Sequence, residues 1–91
     1  MDRGDQNQTE GDRREPGRFT FLPHALEDMV ERNVTEEQVR ATVEEPDFTG
    51  EGDYGRLVAD RRFGRTVVRV VYNVGRGEYV IVAVMRRRRI G

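Results

Sequence analysis

The chain has 91 residues, 36% charged and 35% hydrophobic, with a formal net charge of −1 and no cysteine. That length makes one domain with a modest core. The absence of cysteine excludes disulfides and thiolate metal sites, and a single histidine argues against structural zinc. No apolar run approaches a membrane span and no signal peptide opens the chain. A cytoplasmic protein with no metal, no cofactor and no membrane partner is therefore expected.

Residues 1–17 are mostly Asp, Arg, Gln, Asn, Gly and Glu, with no large apolar residue after Met1. Such a segment buries too little to offset its ordering entropy. It reads as a disordered tail, and residues 18–91 read as one α+β domain. Arg18-Phe19-Thr20-Phe21 reads either as an edge strand or as an anchor tucked under the next element. Pro23 suits the first position of a helix running to about Asn33. Leu22, Ala25, Leu26, Met29 and Val30 recur at helical spacing and predict one buried stripe, with Glu27, Asp28, Glu31 and Arg32 outside. His24, the only histidine, falls in the first turn.

Asn33 suits a left-handed C-terminal position. Thr35-Glu36-Glu37-Gln38 is a capping box that opens a second helix, and Pro46 closes it. Val34 and Val39 are placed as a hydrophobic staple. A turn-rich connector follows, with room for a short strand around Phe48. Three strand-like runs come next: Tyr54 to Phe63, Thr66 to Val74, and Glu78 to Met85. Their short links predict an antiparallel meander of three to four strands, with the two helices on one face.

All sixteen basic residues are arginine, as codon bias in a GC-rich genome or phosphate binding would each produce. Their layout is uneven. Ten acidic residues lie between His24 and Asp53, against Arg32 and Arg40; ten arginines lie between Tyr54 and Gly91, against Asp60 and Glu78. Near-neutral net charge thus hides an acidic helical half and a basic sheet half. Either the halves neutralise each other in the fold, or a basic face attracts nucleic acid or an acidic partner.

Phe19 to Met29, the Glu31-Arg32-Asn33-Val34-Thr35-Glu36-Glu37-Gln38-Val39 junction and Glu45-Pro46-Asp47 resemble a small bacterial family known only as a domain of unknown function. The resemblance covers roughly Phe19 to Arg87. Where that family often carries an arginine in the first helix, this chain has Asp28; where it has a junction glycine, this chain has Asn33. The layout is also remotely similar to the BrnT and RelE-like ribonuclease toxins of toxin–antitoxin systems.

That second similarity implies a toxin module performing metal-independent RNA cleavage or RNA binding, with RNA and an antitoxin protein as partners. Cleavage needs a base, an acid and cations for the developing phosphorane charge. The candidates are His24 as base or acid, Tyr72 as a second proton donor or stacking surface, and Arg61, Arg62, Arg69, Arg86 and Arg87 as RNA ligands. The structural alternative for His24 is a helix-start residue bonded to a neighbour. The alternatives for the whole are a non-catalytic binding module on the basic sheet face, or a self-associating domain forming a homodimer.

Overall fold

A computed structural model describes residues 17–88. The expected tail therefore lies outside the described residues, apart from Gly17. The elements in order are β1 (Arg18–Phe21), α1 (Pro23–Arg32), α2 (Glu36–Glu44), β2 (Phe48–Glu51), β3 (Leu57–Phe63), β4 (Thr66–Gly75) and β5 (Glu78–Arg88), with a one-turn 3-10 helix at Asp53–Gly55 between β2 and β3. The fold is α+β, two helices on one face of a sheet. The predicted three- to four-stranded antiparallel meander is corrected: the sheet has five strands in the order β1-β5-β4-β3-β2, and it is mixed. β2 to β5 form the antiparallel meander, while β1 joins β5 in parallel, Phe19 opposite Tyr79 and Phe21 opposite Ile81. A pairing across some sixty residues leaves no local trace in the sequence.

Local signals set both helix boundaries. Pro23 stands at the start of α1, and Asn33 ends it at φ 56, ψ 50 with its N–H bonded back to the last turn. The capping box of α2 is complete: the Gln38 N–H donates to Thr35 Oγ1 and the Thr35 N–H donates to Gln38 Oε1. Thr42, wholly buried, satisfies its hydroxyl on the Gln38 carbonyl.

The core lies between helices and sheet. Ala25, Val34, Val39 and Val43 meet Ala59, Val68, Val70, Tyr72, Ile81 and Val84. A bulge in β5 makes this possible. Tyr72 pairs with Ile81 and Val71 with Ala83, which leaves Val82 without a partner. The extra residue lets Ile81 and Val84, three apart, both face the helices.

α1 takes over from β1 along the edge of β5. The Leu22 N–H donates to the Ile81 carbonyl where β1 ends. One turn further on, the Val84 N–H donates to Asp28. At the end of the helix, the Arg86 guanidinium donates to the Arg32 carbonyl. A helix riding on an edge buries a narrower arc than one lying over the middle of a sheet. The predicted buried stripe is accordingly split: Ala25 is fully buried, but Leu22, Leu26 and Val30 are 37%, 48% and 85% exposed.

Candidate functional site

Asp28 is the buried acid of the domain, 7% exposed. Its Oδ2 accepts the Val84 N–H at 3.0 Å, and its Oδ1 accepts Arg32 Nη1 at 3.1 Å. His24 lies one turn earlier on the same side of α1, its Nε2 3.6 Å from Asp28 Oδ2, with the imidazole largely exposed. His24, Asp28 and Arg32 thus form a row of positions four apart, about 12 Å long at 1.5 Å rise per residue. Reading Asp28 as an outer-face residue missed its role. The available signal was its place on the inward arc between Ala25 and Arg32, where a carboxylate must find donors or stay out of the core.

The row ends at a groove of about 630 Å³ beyond the C-terminus of α1. Its lining is Glu31, Arg32, Asn33, Arg65, Thr66, Arg86, Arg87 and Arg88. Arg32 is held by Asp28 and Glu31, both at 3.1 Å. Among the described residues, Arg65, Arg86, Arg87 and Arg88 have no carboxylate partner. Four uncompensated guanidinium groups therefore share one groove, in a region held together by the β3–β4 turn, the end of β5 and the end of α1. Cations beside a helix C-terminus are also favoured by the helix dipole.

The other predicted residues lie elsewhere. Arg61 faces the helices from β3, donates to the Glu45 carbonyl and approaches Glu45 Oε1 at 3.5 Å. Its guanidinium sits 5.6 Å from the Phe63 ring centroid. Arg61 and Arg86 stand on either side of Val68 in one cross-strand row, and each holds the C-terminal carbonyl of a helix, α2 and α1 respectively. Arg62 and Arg69 point to the opposite face of the sheet, as does Arg87, which at the end of β5 borders the groove as well. There Arg69 makes a bidentate pair with Asp60, at 2.8 and 2.9 Å, which raises the Arg69 pKa further. Tyr72 is buried on the helix side of β4, edge-on to Tyr79 at 5.8 Å. Burial, and then the neighbouring Tyr79, push its phenol pKa up. The structure thus gathers Arg86 and Arg87 at the groove with three arginines that sequence reasoning had not singled out, Arg32, Arg65 and Arg88. It keeps Arg61 and Tyr72 apart from it.

The acidic and basic halves do not cancel within the fold. The ion pairs Arg32–Asp28, Arg32–Glu31 and Arg40–Glu36 stay inside the helical half, and Arg69–Asp60 stays inside the sheet. Among the described residues, Arg61–Glu45 alone joins the two. The described residues hold no cluster of three or more His, Asp or Glu side chains able to grip a metal ion. No described helix is long and apolar enough to cross a membrane.

These features define a small α+β domain with one polar row along α1 and a basic groove at its end. The family model for Domain of unknown function (DUF4258) matches residues 21–86, and the chain belongs to that family. The match runs from the last residue of β1 to Arg86, so it takes in the whole His24–Asp28–Arg32 row. No curated protein and no solved structure gives a significant match.

Proposed function

We propose that this domain binds RNA through the groove at the end of α1, as a RelE/BrnT-like module of a toxin–antitoxin pair. One observation carries the reading: Arg65, Arg86, Arg87 and Arg88 line it, and among the described residues none of them is paired with a carboxylate. Guanidinium groups suit phosphates because their planar fork donates two parallel hydrogen bonds. A groove lined by five arginines against one glutamate also concentrates a polyanion near it.

RNA cleavage is a second reading, favoured by the His24–Asp28 pair. A carboxylate 3.6 Å from an imidazole can orient the ring for proton transfer, and an imidazole can both donate and accept a proton. Arg32, at the far end of the row, would place a phosphate within reach of the same helix face. Tyr72 contributes nothing to this version, since it is buried and its proton is held more tightly than usual.

A labelled single-stranded RNA, titrated by anisotropy over a salt series, tests the binding reading. Four phosphate contacts predict that log K falls with log salt at a slope of about −3, from about 0.7 per contact. Flat, salt-independent or absent binding at low salt removes it. Gel analysis of the same RNA after incubation with wild type and His24→Ala tests cleavage. Products lost in the variant support the second reading; intact RNA in both leaves binding alone.

A further inference from the structure

The helices cover one face of the sheet, and the other is open. An antiparallel sheet that faces water on one side is normally polar there. This one is not. Val58, Val67, Val71, Val80, Ala83 and Met85 alternate with the core residues and occupy the outward positions of β3, β4 and β5. The valines and Ala83 are shielded only in part, and Met85 is 39% exposed. A pit of about 200 Å³ opens among them, bounded by Val67, Met85, Arg69 and Arg87. Apolar side chains left part-exposed on either side of the Asp60–Arg69 pair in this way mark a binding surface.

The charge around the patch selects the occupant. Arg62 and Arg87 flank Val67 in one cross-strand row, and neither has a carboxylate partner among the described residues. The acids on this face are engaged, Asp60 with Arg69 and Glu78 with Thr20. The face thus sets apolar side chains around a mutually neutralised Asp60–Arg69 pair, with Arg62 and Arg87 as its unpaired positive charges among the described residues. Two copies meeting face to face would oppose these positive rims. A second copy docking its exposed Leu22-Leu26-Val30 flank would leave a free helix and a free sheet face at the ends, and such contacts grow open chains. We infer that the outer sheet face is a docking site for an acidic, amphipathic segment of a different polypeptide, whose apolar side covers Val67, Val71 and Met85 and whose carboxylates pair with Arg62 and Arg87.

This inference concerns the outer sheet face, whereas RNA binding uses the groove at the end of α1; Arg87 borders both, and Arg65 and Arg88 border the groove alone. The probe is a synthetic amphipathic peptide with Leu at helical spacing and Glu elsewhere, compared with a twin carrying Lys for Glu. Binding to the full chain is followed by anisotropy and by methyl NMR. The acidic peptide should bind at least about tenfold more tightly than its basic twin, as charge complementarity across a desolvated rim requires. Its shifts should centre on Val67, Val71 and Met85. The double variant Arg62→Glu/Arg87→Glu should reverse the preference. Val71→Thr, which keeps the β-branched shape and so the fold, should weaken the acidic peptide. Equal binding of both peptides overturns the inference, as do shifts centred on α1. So does a wild-type dimer by light scattering that Val71→Thr dissociates, which would give the face to a second copy. So does RNA shifting the same methyls. A lower salt slope of RNA binding in Arg88→Ala, with peptide binding intact, separates the two sites.

Discussion

Asp28 on α1 accepts the backbone N–H of Val84 on β5 at 3.0 Å, fifty-six residues away. β1 stops pairing at Ile81, so beyond that point β5 presents backbone donors with no neighbouring strand. Asp28 Oδ2 replaces the missing strand at one of them and so ties the helix to the sheet, while Oδ1 accepts Arg32 one turn on within α1. Asp28→Ala leaves Val84 with an unpaired buried donor and Arg32 without its inner partner. The expected loss is about 2–3 kcal/mol, the range for stranding a buried group. Asp28→Asn keeps an acceptor for Val84 and should lose only about 1 kcal/mol. Urea unfolding of the two variants checks the order; equal, small losses would mean that the contact is incidental.

Tyr72 makes the domain sensitive to alkali. Burial first, then Tyr79, raise its phenol pKa in the fold. The protonated phenol is thus favoured by folding. This contribution is complete below the unfolded pKa of about 10 and is lost as pH rises from there through the folded value, because the unfolded chain releases its proton first. Wild-type stability should fall across that window, whereas Tyr72→Phe, with no proton to lose, should stay flatter. Thermal melts of both proteins at pH 8 and above pH 10 measure the difference.

The parts of the fold visible in the sequence are those decided within a few residues. Pro23, Asn33 and the Thr35–Gln38 box mark helix ends because their physics is local. The β-branched run from Thr66 to Val74 does form a strand, with Val68, Val70 and Tyr72 turned to the core. What escaped is what depends on distant partners. Arg18–Phe21 becomes a parallel strand only because β5 lies beside it. Val82 shifts the face of everything after it in β5, and an unbroken apolar run hides where the bulge falls. Leu26 and Val30 keep perfect helical spacing and are still exposed, since spacing gives a stripe but not the width of the surface that covers it. The groove suffered likewise: Arg65, Arg86 and Arg32 meet only because a turn, a strand end and a helix end coincide.

Tyr54 is a second place where the backbone decides. It sits at φ 60, ψ 32 with its side chain 91% exposed, between β2 and β3. A bulky residue in that region is strained by about 1 kcal/mol, and Asn tolerates it better. The Tyr54 ring gains only an exposed contact with Arg56, 5.6 Å from its centroid, worth about 0.5 kcal/mol. Tyr54→Asn should therefore raise stability by about 0.5 kcal/mol, since strain relief exceeds the lost contact. A fall in the urea midpoint instead would show that the ring contributes packing that its exposure conceals.

Arg86 and Arg88 share the groove but should answer differently to substitution. Arg86 donates to the Arg32 carbonyl at 2.9 Å and so closes the C-terminus of α1, where carbonyls lack helical partners. Arg88 makes no side-chain hydrogen bond among the described residues. Arg86→Ala should then cost about 1 kcal/mol of stability, the worth of a charge-assisted bond at a helix end, and also reduce the salt slope of RNA binding. Arg88→Ala should leave the urea midpoint unchanged and reduce that slope by about 0.7, one phosphate contact. The two measurements separate an arginine that serves both fold and groove from one that serves the groove alone. If Arg88→Ala lowers stability while the slope stays the same, the guanidinium belongs to the fold, and the RNA contact must be sought among Arg65 and Arg87.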